Sequence, residues 1–210
     1  MKFLPAVILT ALLAFGCAPP KPVLLPETPT ISPTTVVLRS IVRLVGELPN
    51  GDGWICTGFS IAPRKFLTAA HCTDHLHEML GGILTANGKL TAVIKEDHVH
   101  DLAIILADIL QPSLSLRLTP LEFLERVSAA GFGHGFRGPL VTDHKVMLHN
   151  YILLEGIAPG TVFTTPFIGG MSGGPIFDVN GEVVGMVQRG SNFIGYGVDS
   201  ATILAFINGE

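Results

Sequence analysis

Charge is scarce in this chain. Only 14% of its 210 residues are Asp, Glu, Lys or Arg, and their balance leaves a formal net charge of −4. Binding a nucleic-acid backbone takes a basic stripe that displaces counterions, and no such stripe exists here, so nucleic acid is excluded as a partner. Cysteine is nearly absent too, with three positions, and neither a CxxC nor an HExxH spacing occurs. That removes the common zinc frameworks. Histidines do gather in "HCTDHLH" (His71, His75, His77) and "DHVHD" (His98, His100), but loop histidines at these spacings are ordinarily solvated, and no metal or cofactor is expected. No internal repeat is evident. The apolar run at residues 3–15 would span about 20 Å as a helix, against roughly 30 Å of bilayer hydrocarbon, so it reads as an export signal and not as a membrane-spanning helix.

Apolar residues, by contrast, make up 48% of the chain, enough for one sizeable core or two small ones. The N-terminal "LLAFGC" resembles a bacterial lipoprotein signal covering residues 1–16. The resemblance implies that Cys17 becomes the first mature residue and carries acyl chains, a membrane partner reached through a lipid anchor. Ala18, where aspartate would retain the protein at the inner membrane, implies sorting to the outer membrane, facing the periplasm. Residues 17–35, "CAPPKPVLLPETPTISPTT", are rich in proline and read as a semi-rigid tether. With Cys17 lipidated, Cys56 and Cys72 remain, and an oxidising compartment favours their pairing.

From about residue 36 the chain reads as β-rich. Segments such as "VVLRSIVRLVGE", "WICTGFSIA", "KFLTAA", "TAVIKE", "LAIILA", "HKVMLHNYILL", "TVFTT", "PIFDV" and "EVVGMVQR" favour strands, and turn residues separate most of them. Many short strands without long helices between them indicate barrels or a sandwich. Asn180-Gly181 predicts a type I′ hairpin with both residues at positive φ. The closing "DSATILAFIN" has helical spacing, with Asp199 or Ser200 as its cap.

One place concentrates glycine. "IGGMSGGPIF", residues 168–177, surrounds Ser172 with four glycines. Glycine is the residue most costly to order, so such a cluster marks backbone that bends sharply or closely approaches another group. A serine hydroxyl is a weak nucleophile unless a base activates it. "LTAAHC" offers His71, and "HDLAIILA" places Asp101 just before an apolar run, where its carboxylate can be partly buried yet reach an imidazole.

These three segments, in the order His, Asp, Ser, resemble the motifs of the chymotrypsin/trypsin-like serine proteases in their compact bacterial form. "AAGFGHG" and "GMVQRG" resemble two further segments of that family, and Cys56 and Cys72, sixteen positions apart, match the cysteines of its histidine-loop disulfide. The likeness spans roughly residues 38–200. It implies an all-β fold of two six-stranded antiparallel β-barrels, about 36–115 and 116–210, with a short C-terminal helix. It also implies a serine endopeptidase acting on peptide or protein substrates, with His71, Asp101 and Ser172 catalytic and the amides of Gly170 and Ser172 forming the oxyanion hole. Pro166, Phe167, Val187, Gln188, Arg189 and Gly190 would bind substrate. Pro166 stands where basic-specific members carry aspartate and Val187 where glutamate-specific ones carry histidine, so an uncharged, apolar or small residue is expected before the scissile bond. Arg189 would favour acidic substrates if it faced them, and is otherwise a solvated strand residue. Met171 replaces the aspartate that pairs with a freed N-terminus in digestive members, so activation by propeptide removal is not implied. The alternatives are a protease-like peptide-binding module without turnover, and a lipoprotein supporting envelope assembly.

Overall fold

A computed structural model of the chain describes residues 31–74, 76, 82–152 and 158–209. The expected signal, Cys17, most of the tether, and His75 and His77 lie outside the described residues. The first element is helix α1, Pro33–Ser40. It takes in the "VVLRS" expected as strand and the last residues expected as tether. Local chemistry explains the difference: Ser32 Oγ accepts the Thr35 amide at 3.3 Å, Pro33 occupies the first turn, where its missing N–H costs nothing, and Val37 is fully buried. A cap and one buried contact outweigh the β propensity of two valines.

Six strands follow: β1 (Ile41–Glu47), β2 (Gly53–Ala62), β3 (Lys65–Thr68), β4 (Ile83–Ala86), β5 (Lys89–Asp97) and β6 (Leu102–Ala107). They close into an antiparallel barrel in the order β1-β2-β3-β6-β5-β4, sealed by β1 against β4 with Leu44 opposite Ala86. A second barrel contains β7 (Arg126–Gly131), β8 (Leu140–Tyr151), β9 (Gly160–Phe163), β10 (Pro175–Phe177), β11 (Val183–Gly190) and β12 (Gly195–Asp199). Its order is β10-β11-β12-β9-β8-β7, closed by β7 against β10. Leu44, Phe59, Phe66, Leu67 and Ile105 fill the first barrel; Val127, Val146, Phe163, Ile176 and Val184 fill the second. Closure leaves no open sheet edge around either barrel.

Helix α2 (Ser200–Asn208) begins on Asp199, whose Oδ1 accepts the Thr202 amide at 2.8 Å, and ends on Gly209 at φ +83. Ile203 and Phe206 bury its inner face, each worth about 1.5–3 kcal/mol. Lys95 on β5 donates to the Phe206 carbonyl and lies 4.7 Å over its ring, tying the last helix to the first barrel. The 180–181 hairpin forms, but only Gly181 has positive φ. Asp178 Oδ1 accepts the amides of both Asn180 and Glu182, at 2.9 and 3.0 Å, and this side-chain bridge sets a different turn from the expected type I′.

Cys56 on β2 is bonded to Cys72, closing a loop of sequence separation 16 just ahead of the expected active site. A cross-link of that span stabilises by about 3 kcal/mol in the chain-entropy treatment. Replacing both cysteines with alanine should therefore lower the unfolding free energy by roughly that amount, read from urea denaturation.

Candidate active site

The turn Ala70–Cys72 after β3 carries His71, and Asp101 sits immediately before β6. Asp101 has φ +54, in the left-handed region that aspartate tolerates better than most residues. That bend aims its carboxylate at the turn. Oδ2 lies 2.8 Å and Oδ1 3.0 Å from His71 Nδ1, while Oδ1 also accepts the His71 amide at 2.9 Å. The Asp101 side chain is 4% exposed and that of His71 30%. A buried carboxylate thus fixes the ring and, by accepting the Nδ1–H hydrogen bond, holds the tautomer in which Nε2 is the basic nitrogen. Gln188 on β11 donates through Nε2 to the His100 carbonyl at 2.6 Å, fastening the residue before Asp101 to the second barrel. Burial pushes the neighbouring Asp97 carboxyl up, but hydrogen bonds from the His100 side chain and amide hold it below its ordinary value.

Ser172 arrives from the second barrel, between β9 and β10. Its amide carbonyl accepts the Thr57 N–H at 2.8 Å, and its Oγ donates to the Gln188 carbonyl at 3.1 Å. Among the described residues no hydrogen bond joins Oγ to His71, yet both side chains line one cavity of about 400 Å³. Serine and histidine are commonly looser in an unliganded site than in the reacting complex.

The glycine cluster has a direct structural use. Residues 168–171 form a turn closed by Met171 N to Ile168 O at 2.9 Å, with Gly170 at φ +98. A Cβ at position 170 would lie 2.4 Å from the Phe132 carbonyl oxygen. The Gly169 carbonyl accepts the His134 amide at 2.7 Å, and because a trans peptide is planar, the Gly170 N–H on the opposite side points away from that contact. Neither the Gly170 nor the Ser172 amide donates to another group among the described residues. Two unengaged N–H groups near a serine hydroxyl are the components of an oxyanion hole. Gly173, at φ +81, lets the chain pass where a Cβ would come within 2.2 Å of the Thr57 carbonyl oxygen.

Of the expected substrate-binding residues, Phe167, Val187, Gln188, Arg189 and Gly190 line the cavity together with His71 and Ser172. Pro166 does not; it is exposed, outside the lining. Phe167 is the reason. Its ring is buried, packs 4.6 Å from the His144 ring and 5.5 Å from Phe163, and sits so close over Gly195 that a Cβ there would be 2.8 Å from its edge. The recess therefore ends on Phe167 before reaching Pro166. His144, Thr57 and His134 escaped the sequence reading. Alternation along β8 would have placed His144 inward; nothing local marks the other two. A larger cavity of about 550 Å³, lined by Arg126, Lys145, Asp143 and others on the second barrel, contains none of the expected catalytic residues. The sulfurs of Cys56 and Cys72 lie with a His71 nitrogen within 4.8 Å, but they are bonded to each other and offer no thiolate to a metal.

Residues 56–186 match the model of the trypsin-like peptidase domain, and the chain belongs to that family. Similar solved structures include the Rv3671c protease of M. tuberculosis in its active form, with TM-score 0.72, 21% identity, and 84% of this chain and 82% of that chain covered. Its inactive form gives TM-score 0.67 at 20% identity, covering 84% and 91%. The HtrA-type protease AlgW with a tripeptide gives TM-score 0.71 at 16% identity, covering 84% of this chain and 62% of that one. Identities this low concern the fold. No curated protein sequence matches the chain.

His144 donates and accepts between Thr142 Oγ1 at 2.6 Å and Thr165 Oγ1 at 2.5 Å, and burial holds its imidazole below the ordinary value. The folded protein therefore resists protonating it, whereas the unfolded chain takes a proton near pH 6.5. Stability is fully present above that pH and falls as pH drops through it. Urea unfolding at about pH 7.5 and about pH 5.5 should show the wild type losing more stability than His144→Gln over that interval.

Proposed function

We propose that the protein is a serine endopeptidase, exported and held to the outer membrane by a lipid on Cys17. The observation that carries the enzymatic reading is the buried Asp101 carboxylate gripping His71 Nδ1 at 2.8 Å in a cavity shared with Ser172. In this mechanism an extended peptide lies along the end of β11. β10 stops at Pro175 opposite Met186, so the segment beyond Val187 lacks a strand partner on that side, which suits strand addition. Ser172 Oγ attacks the carbonyl carbon while His71 Nε2 takes its proton. The C=O π pair moves onto oxygen, and the amides of Gly170 and Ser172 stabilise the resulting charge. Collapse breaks the C–N bond, His71 gives its proton to the departing amine, and water then hydrolyses the acyl-enzyme by the same route. Asp101 stabilises the imidazolium in both halves. Met171, fully buried and apolar, leaves no acid to pair with a new N-terminus, which supports activity without propeptide trimming.

The residue before the scissile bond enters the recess between Phe167 and Gly190. Because the Phe167 ring closes that recess, a small apolar residue fits best. Shape also supplies a test: Phe167→Ala should open space toward Gly195 and His144, and profiling with a peptide library should move the preference from small to larger apolar residues.

A second reading, a peptide-binding module without turnover, is favoured by one observation, the resting bond from Ser172 Oγ to Gln188. A fluorophosphonate probe separates the two. The protease should label stoichiometrically, and Ser172→Ala should abolish labelling and lower turnover by about 10⁴- to 10⁶-fold. A well-folded wild type that fails to label would establish the binding module instead.

A further inference from the structure

Thr57 belongs to the first barrel, yet its N–H and its hydroxyl both reach across to the second. Its N–H donates to the Ser172 carbonyl at 2.8 Å, and its carbonyl accepts Thr68 Oγ1 at 2.8 Å. Its hydroxyl sits between two groups of the second barrel, 3.0 Å from the Phe132 N–H and 2.8 Å from the Gly170 carbonyl. An amide N–H can only donate and a carbonyl can only accept. The hydroxyl must therefore accept from the Phe132 N–H and donate to the Gly170 carbonyl, which fixes its rotor. The residue is 0% exposed, and no solvent can replace these bonds.

Gly170 needs such a support. With φ at +98 and no Cβ, it has little intrinsic barrier against turning either flanking peptide. The preceding peptide, whose N–H is one oxyanion donor, is held among the described residues by the Gly169 carbonyl on the His134 amide. In the following peptide, Thr57 holds the carbonyl while the Met171 N–H is bonded within the turn to the Ile168 carbonyl at 2.9 Å. With both carbonyls pinned, rotation at Gly170 in one direction has no compensating rotation to accompany it, and the N–H keeps its direction away from the His134 contact. Gly131 makes the arrangement possible, since a Cβ there would lie 2.8 Å from Thr57 Oγ1 and 2.9 Å from Met171 Cα.

We infer that Thr57 is a positioning residue of the protease, setting the oxyanion hole of the second barrel from the first through its hydroxyl. This rests on the serine-protease reading above. Thr57→Val keeps the branched shape but presents a methyl group to a buried donor and a buried acceptor, which must then seek partners by turning the loop. In the purified protein, kcat should fall roughly 10- to 1000-fold, up to the roughly 100- to 1000-fold cost of losing an oxyanion donor outright, with KM changing less than about threefold. The acid limb of the kcat/KM pH profile should not move. Thr57→Ser restores the hydroxyl and should recover kcat to within about fivefold of wild type. End-point titration with a fluorophosphonate counts competent sites, so poor folding lowers the count without touching turnover per site. Three results would overturn the inference: unchanged turnover per site in Thr57→Val, a Thr57→Ser variant as slow as Thr57→Val, or a loss that appears in KM alone. A wild type without Ser172-dependent turnover would instead remove the protease reading itself.

Discussion

Everything at this site depends on the registry of two barrels across one seam. The first supplies His71 and Asp101 and the second Ser172, so in the proposed mechanism a shift of about an ångström between them would separate base from nucleophile, a misplacement that costs on the order of a hundredfold in rate. The seam is held by polar bonds set in apolar surroundings. Thr57 N–H to the Ser172 carbonyl at 2.8 Å and Gln188 Nε2 to the His100 carbonyl at 2.6 Å cross it on either side of the cavity. Each joins a residue beside a site residue, or that residue itself, to the opposite barrel. Because Thr57 and Gln188 are buried, a slipped registry would leave their donors unsatisfied, a penalty of about 1–3 kcal/mol apiece. Apolar packing makes the barrels adhere; these bonds determine where they adhere.

A second cluster holds the connection between the barrels. Arg117 reaches Glu125 through two nitrogens, at 2.6 and 3.0 Å, and lies 3.4 Å from Asp178. Its backbone donates to Val183, and its carbonyl accepts Ser200 Oγ. Hydrogen bonds to Arg117 hold the Glu125 carboxyl below its ordinary value against the opposing effect of burial, and the same contacts raise Arg117. The forked geometry makes this more than a surface pair. Asp178, through its other oxygen, also shapes the 178–182 turn, so one carboxylate couples the interbarrel connection to the hairpin that follows the nucleophile.

The sequence made the candidate site legible because each residue expected to be catalytic is embedded in a short local pattern. His71 follows a strand, Asp101 precedes one, and glycines flank Ser172, and these patterns survive without knowledge of the fold. The strands were visible by the same logic, as was Asp199 as a helix cap. What stayed hidden was non-local or competitive. α1 formed where valines favoured strand, since a serine cap, a proline in the first turn and the burial of Val37 act together. Asp178 redirected a turn that Asn-Gly alone would have made differently. The pocket floor could not be placed by alignment, because whether Phe167 fills it depends on Gly195, twenty-eight positions later. Thr57 gave no signal at all: its partners lie 75 and 113 positions away, and a threonine in a strand needs no explanation.

Glycine links these observations. The loop around Ser172 needs backbone that approaches Phe132, Thr57 and Ala130 more closely than any side chain permits, with Cβ atoms at 170, 173 and 174 falling 2.1–2.4 Å from carbonyl oxygens. Such residues lose the most conformational entropy on ordering and hold no shape by themselves. The proposed hole for negative charge, made from the amides of Gly170 and Ser172 in this loop, would consequently be only as rigid as the groups outside the loop that grip its carbonyls. That is why the support comes from strands: Thr57 on β2 and Val187 on β11, which accepts the Gly173 amide at 2.7 Å, belong to closed barrels. The flexible segment provides the close approach, and the sheets on either side provide the geometry.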